Sequence, residues 1–162
     1  MTESEVRRLA PGFSLIELLV VIAIMGVLAS IGVPLAELSQ QRVKEEELRR
    51  SLREIRSAID AYKRLVDLGS IPRAADGSGY PPNLEVLAGG VVDARSPLGV
   101  KVYLLRQLPR DPFAPAEVAA AQTWSLRSYA SPPDDPKPGK DVFDVHSTSN
   151  GVGLNGTAYK DW

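Results

Sequence analysis

One apolar run of membrane-crossing length dominates this chain, and a single acid stands near its start. Gly12-Phe13-Ser14-Leu15-Ile16-Glu17 opens the run, and the 24 residues from Phe13 to Ala36 contain Glu17 as their only charge. At ~1.5 Å per helical residue, that segment is long enough to cross a ~30 Å hydrocarbon core. A carboxylate inside such a segment is costly, so it needs a partner or a purpose. A secretory signal has a shorter apolar run, followed by a small-residue cleavage site. Here polar helix formers follow the run, and a short leader carrying Arg7 and Arg8 precedes it. Cleavage after Gly12 would make Phe13 the N-terminus, with Glu17 one helical turn away. The new α-amine and the carboxylate would then share a helix face.

Gly12, Phe13, the Ser14-Leu15-Ile16 step, Glu17, the Leu/Val/Ile/Ala run and Pro34 together resemble the type IV prepilin signal. That signal marks type IV pilins and the pseudopilins of type II secretion. The resemblance implies that a prepilin peptidase cleaves between Gly12 and Phe13 and N-methylates Phe13. It further implies that Phe13, Glu17 and Pro34 serve assembly into a helical homopolymer. A plain signal anchor needs neither Gly12-Phe13 nor Glu17.

A length of 162 residues leaves room for one modest domain beyond the anchor. A net charge of −1 gives no basic field that would suggest nucleic acid. The chain has no cysteine, so no disulfide can brace it. Many type IV pilins close a C-terminal loop with a disulfide, so this lack brings the resemblance nearer to a pseudopilin.

Beyond the apolar run the sequence stays helix-favouring. Pro34 removes one backbone N–H and crowds the carbonyl of Ser30, which predicts a kink. Leu48, Leu52, Ile55, Ile59, Tyr62 and Val66 then repeat at alternating spacings of four and three, one apolar stripe of an amphipathic helix. The stripe is read as packing on a sheet of its own domain. The Glu45-Glu46-Glu47 and Arg49-Arg50-Arg53-Arg56 blocks read either as a solvated face or as contacts between staggered neighbours. Gly69 is suited to a C-cap, and Pro72 stops the helix. Asn83 is placed to cap a short helix through Leu84, Leu87 and Ala88, and the alanine-rich stretch 114–121 predicts a helical turn. Strands are expected over 100–105, 123–130 and 140–147, the last with Phe143 and Val145 on one face and Val142, Asp144 and His146 on the other. The expected class is α+β: a long N-terminal helix on a small, roughly three-stranded antiparallel sheet, as in the type IV pilin-like fold. The segments are a leader 1–12, a transmembrane and filament-core helix 13–34, its amphipathic half 35–69 and a periplasmic head 70–162.

Leu108-Pro109-Arg110-Asp111-Pro112-Phe113, Trp124, Arg127-Ser128-Tyr129 and the 141–147 segment resemble the head of the major, G-type pseudopilin of type II secretion. Proline at 112 holds Asp111 out of helix, so a turn is expected there. The resemblance implies one calcium ion in the loop after the last strand, with Asp144, Ser147, Asn150 and Asn155 as matching ligands. Calcium requires several oxygen ligands at ~2.3–2.6 Å, and the loop 147–156 has no carboxylate. The other reading of that loop is a bare glycine-rich turn with its asparagines in left-handed conformations.

No enzyme is expected. His146 is the only histidine, cysteine is absent, and no phosphate-cradling glycine motif follows a strand. The implied role is a structural subunit of a periplasmic pseudopilus, anchored in the inner membrane. Its implied partners are copies of itself, minor pseudopilins, the prepilin peptidase, and the inner-membrane assembly platform with its ATPase. A type IV pilin for adhesion, motility or DNA uptake, and a membrane-anchored domain that does not polymerise, remain the alternative readings.

Overall fold

The computed structural model describes residues 12, 14–75 and 77–162, without the side chains of residues 31–34. Helix α1 covers Leu15–Asp67, 53 residues that include Pro34. The contacts divide the chain into residues 1–41 and residues 42–162.

Within the second unit, α1 buries the stripe read from the sequence. Leu48, Leu52, Ile55, Ile59, Tyr62 and Val66 are all buried. Each such aliphatic side chain contributes about 1.5–3 kcal/mol by leaving water. They form one core with Ile71, Leu84, Leu87, Leu105, Leu108, Trp124, Val142, Val145 and Tyr159. The helix ends as Gly69 predicts. Gly69 adopts φ +76°, the left-handed region that only glycine enters cheaply. Its N–H donates to the Val66 carbonyl at 3.0 Å, and Ser70 N–H donates to that of Leu65 at 2.9 Å. Those are the paired bonds of a Schellman cap, which satisfy carbonyls the helix leaves open. A short helix α2, Glu85–Gly89, follows. The Asn83 side chain accepts from Val86 N–H at 3.1 Å, which serves a first-turn donor as expected.

The strands depart from the expected single sheet. β1 (Val91–Val92) pairs with β2 (Lys101–Val102), and β3 (Trp124–Arg127) pairs with β4 (Asp144–Ser147), both antiparallel. They form two separate two-stranded sheets. The physical reason lies just past β2. Leu104 and Leu105 both donate their N–H groups to the Leu87 carbonyl of α2, at 3.0 and 2.9 Å. The predicted strand 100–105 therefore spends its donors on a helix end rather than on a third partner strand. β3 stops at Arg127 because Ser128 N–H turns to the Lys137 carbonyl at 3.0 Å. Val142 lies ahead of β4 and donates to the Pro81 carbonyl at 2.8 Å, so strand alternation does not yet apply to it. It is buried with Val145 instead of facing away from it. Phe143 joins an aromatic group with Tyr80 and Tyr129. The alanine-rich stretch ends in a 3-10 turn at Ala120–Thr123 that leads into β3.

Candidate functional site

The N-terminal unit carries the first candidate site. Leu18 N–H closes the first turn of α1 on the Ser14 carbonyl at 3.1 Å. Glu17 lies in that turn, where the unpaired N–H groups of the helix favour a negative charge. Its side chain is exposed. From Leu15 to Leu28 the large apolar side chains are 43–79 % exposed. A continuous apolar surface of this kind is foreign to a water-soluble monomer and marks a membrane or protein interaction. By length and composition, α1 can cross a membrane. Ser30, two residues past Leu28, returns its hydroxyl to the Val27 carbonyl at 2.7 Å. The helix thus satisfies that group internally, as an apolar environment requires.

Gly12 is exposed, and a Cβ built there meets nothing within 4 Å. Among the described residues, packing therefore imposes no need for glycine at this position. Phe13 and residues 1–11 lie outside the described residues, and so does the predicted cleavage step itself. Pro34 lies within α1, with its side chain outside the described set.

The second candidate was the metal loop. Asp144 opens β4, and its carboxylate is committed to cations of the protein. Oδ1 accepts from Arg56 Nε at 2.7 Å, and Oδ2 accepts from Arg127 Nη2 at 3.4 Å. Arg127 stands directly opposite Asp144 in the β3–β4 register, where an opposite-charge pair stabilises a sheet. Ser147 is three residues on and hence on the other face of the strand. It is buried; its hydroxyl donates to Asp111 Oδ2 at 2.5 Å and accepts from Ser149 N–H at 3.0 Å. Asn155 accepts from Thr157 N–H at 3.0 Å, while Asn150 is exposed. Asp144 and Ser147 are thus held apart by the pleat, each with its own partners. Among the described residues, no three acidic or histidine side chains gather as a metal site. The predicted set does not fit a calcium ion. The loop is not the asparagine turn either. Among the described residues no residue other than glycine has a positive φ, and Gly156 supplies the turn at +82°.

Sequence reasoning missed three polar groups that tie the head together, Asp111 and Glu45 buried and Arg56 half-buried. Asp111 is 1 % exposed, and it ties Phe113 N–H, at 2.8 Å, and Ser147 into the core. Its prolines announced a turn but not this burial. Arg56 bonds Asp144 and also donates to the Val145 carbonyl at 2.9 Å. Glu45 is buried, and a signal for it existed: it lies three residues before Leu48, so the same face continues back to it. His146, also unassigned, has its pKa lowered by burial, with Asp144 opposing that shift.

Residues 7–33 match the family model described as the prokaryotic N-terminal methylation motif. That match contains Gly12, Phe13 and Glu17. Type II secretion system core protein G of Klebsiella michiganensis is 30 % identical over 106 residues, spanning 63 % of this chain and 67 % of that protein. Type II secretion system core protein G of Dickeya chrysanthemi is 28 % identical over 152 residues, 90 % of this chain and 92 % of that protein. No solved structure matches the chain.

Proposed function

The chain belongs to the type II secretion core protein G family, the major pseudopilins of the type IV pilin-like group, and on that premise we propose that it is the structural, non-enzymatic subunit of a periplasmic pseudopilus. The observation that carries this reading is the coincidence on one chain of the methylation motif at 7–33 with similarity to core protein G along nearly its whole length.

Before assembly the subunit is anchored in the inner membrane by the apolar part of α1. Arg7 and Arg8 support a cytoplasmic N-terminus, which puts the head in the periplasm. The prepilin peptidase cleaves between Gly12 and Phe13 and methylates the new amine. Glu17 of an incoming subunit then pairs with the Phe13 amine of a subunit already in the filament. Each charge alone is costly in apolar surroundings, and docking neutralises both. The pair sets axial register, and the exposed Leu, Ile and Val side chains of α1 fill the filament core. Minor pseudopilins, an inner-membrane platform and its ATPase are the partners of this assembly. The growing filament helps move folded proteins out of the periplasm.

Removing this chain from a host with an intact secretion system is expected to trap the exported proteins in the periplasm. Restoring the chain returns them to the medium. Export that continues unchanged, with loss of adhesion or twitching instead, would assign the chain to a type IV pilus.

A further inference from the structure

A buried carboxylate on the apolar face of a helix demands partners, and Glu45 finds them in the C-terminal loop. It is 4 % exposed. Its Oε1 accepts from Leu154 N–H at 2.8 Å and from the Tyr159 hydroxyl at 3.1 Å. One turn further along α1, Arg49 Nη2 lies 3.9 Å from Glu45 Oε2. The same guanidinium sits 4.2 Å over the Trp162 ring. Tyr159 stacks on Phe113 at 4.2 Å and meets Trp162 edge-on at 5.1 Å. Arg56, two turns beyond Arg49, donates to the Trp162 carbonyl at 2.9 Å.

The loop is shaped to fit this attachment. Gly153 N–H donates to the Thr157 carbonyl at 2.9 Å, and Tyr159 N–H donates to that of Gly151 at 3.1 Å. A Cβ at Gly153 would lie 2.5 Å from Trp162 Cζ2, so only glycine lets the chain pass the indole. The polarity of the contact is the telling point. A loop organised around a cation turns its oxygens inward. This loop turns an N–H and an O–H toward a carboxylate, the reverse arrangement. Charge-assisted bonds of that kind are the stronger class of hydrogen bond.

We infer that Glu45 fastens the C-terminal loop to α1 in the place of a metal, so that the head holds its fold without a divalent cation. The inference concerns the fold of the head and does not rest on filament assembly. A failure of secretion or polymerisation therefore leaves its readout untouched.

The test uses the full chain in detergent micelles, with either millimolar calcium or a chelator. Melting temperature and hydrogen exchange of the Leu154 amide are the readouts. Wild-type protein should give the same values in both conditions. Glu45→Ala should speed Leu154 exchange by at least ~10-fold, the factor that corresponds to ~1.4 kcal/mol, and calcium should not reverse it. Glu45→Gln keeps an oxygen acceptor and should retain most of the protection. A wild-type melting temperature that falls by several degrees in chelator would overturn the inference. So would recovery of Leu154 protection in Glu45→Ala on adding calcium. If Glu45→Ala does not fold, the wild-type comparison and Glu45→Gln still decide the matter.

Discussion

Glu17→Ala is expected to leave the chain cleaved after Gly12 and inserted in the membrane, yet absent from filaments. The substitution falls outside the cleavage step and adds no bulk to α1. It removes the one charge in the apolar segment, so insertion becomes easier rather than harder. What it removes from assembly is the proposed partner of the Phe13 amine. An ion left unpaired in an apolar setting costs several kcal/mol. Only ~1.4 kcal/mol is needed to lower occupancy ~10-fold, so filament yield should fall by at least that factor. Glu17→Gln should fail similarly, because it keeps the size and loses the charge. Membrane fractionation with sheared-filament recovery reads the result, and wild-type filament yield from Glu17→Ala would refute the pairing mechanism.

Gly12→Val should stop the chain one step earlier. Among the described residues, a Cβ at Gly12 meets nothing within 4 Å, so these give no steric reason for the subunit to misfold. The block is expected at the peptidase, whose site must accommodate the residue before the cut. The product is a full-length precursor, heavier than the mature chain by the leader 1–12. It should also fail to assemble, because the Phe13 amine never forms and Glu17 is left without its counterpart. The two variants therefore agree in filament loss and differ in mass, which separates processing from pairing. Intact-mass measurement distinguishes them. A Gly12→Val chain that starts at Phe13 and carries a methyl group would contradict the proposed cleavage site.

What could be read from the sequence was mostly local or periodic. The 48–66 stripe follows from helical repeat alone, and every one of its members is buried. Gly69 needed only its left-handed φ and the two carbonyls it closes. The strand arrangement was harder, because it depends on partners distant in sequence. The third strand fails where Leu104 and Leu105 turn to Leu87, and Val142 leaves the expected face because Pro81 claims its N–H. Neither contact has a signature in the residues that make it. The partners of the residues around the 147–156 loop are hidden for a related reason. Asp144 enters the ligand set only through the family resemblance, and nothing near it in sequence shows that Arg56 and Arg127, 88 and 17 residues away, hold its carboxylate. Glu45 looked like part of an acidic surface block, although its spacing from Leu48 placed it on the buried face. Hydropathy ranks a carboxylate as exposed, and only the donors of residues 154 and 159 make its burial tolerable.

The central claim is that copies of this chain polymerise through the apolar part of α1. The chain has no cysteine of its own, so every cross-link reports introduced residues alone. Paired cysteines, one within residues 15–20 and one within residues 24–30, are to be oxidised in membranes of cells that carry the whole secretion machinery. The account predicts a ladder of multimers well beyond the dimer, lost when Glu17→Ala is added. Monomers alone across the whole series of pairs, from correctly cleaved and inserted protein, would contradict it.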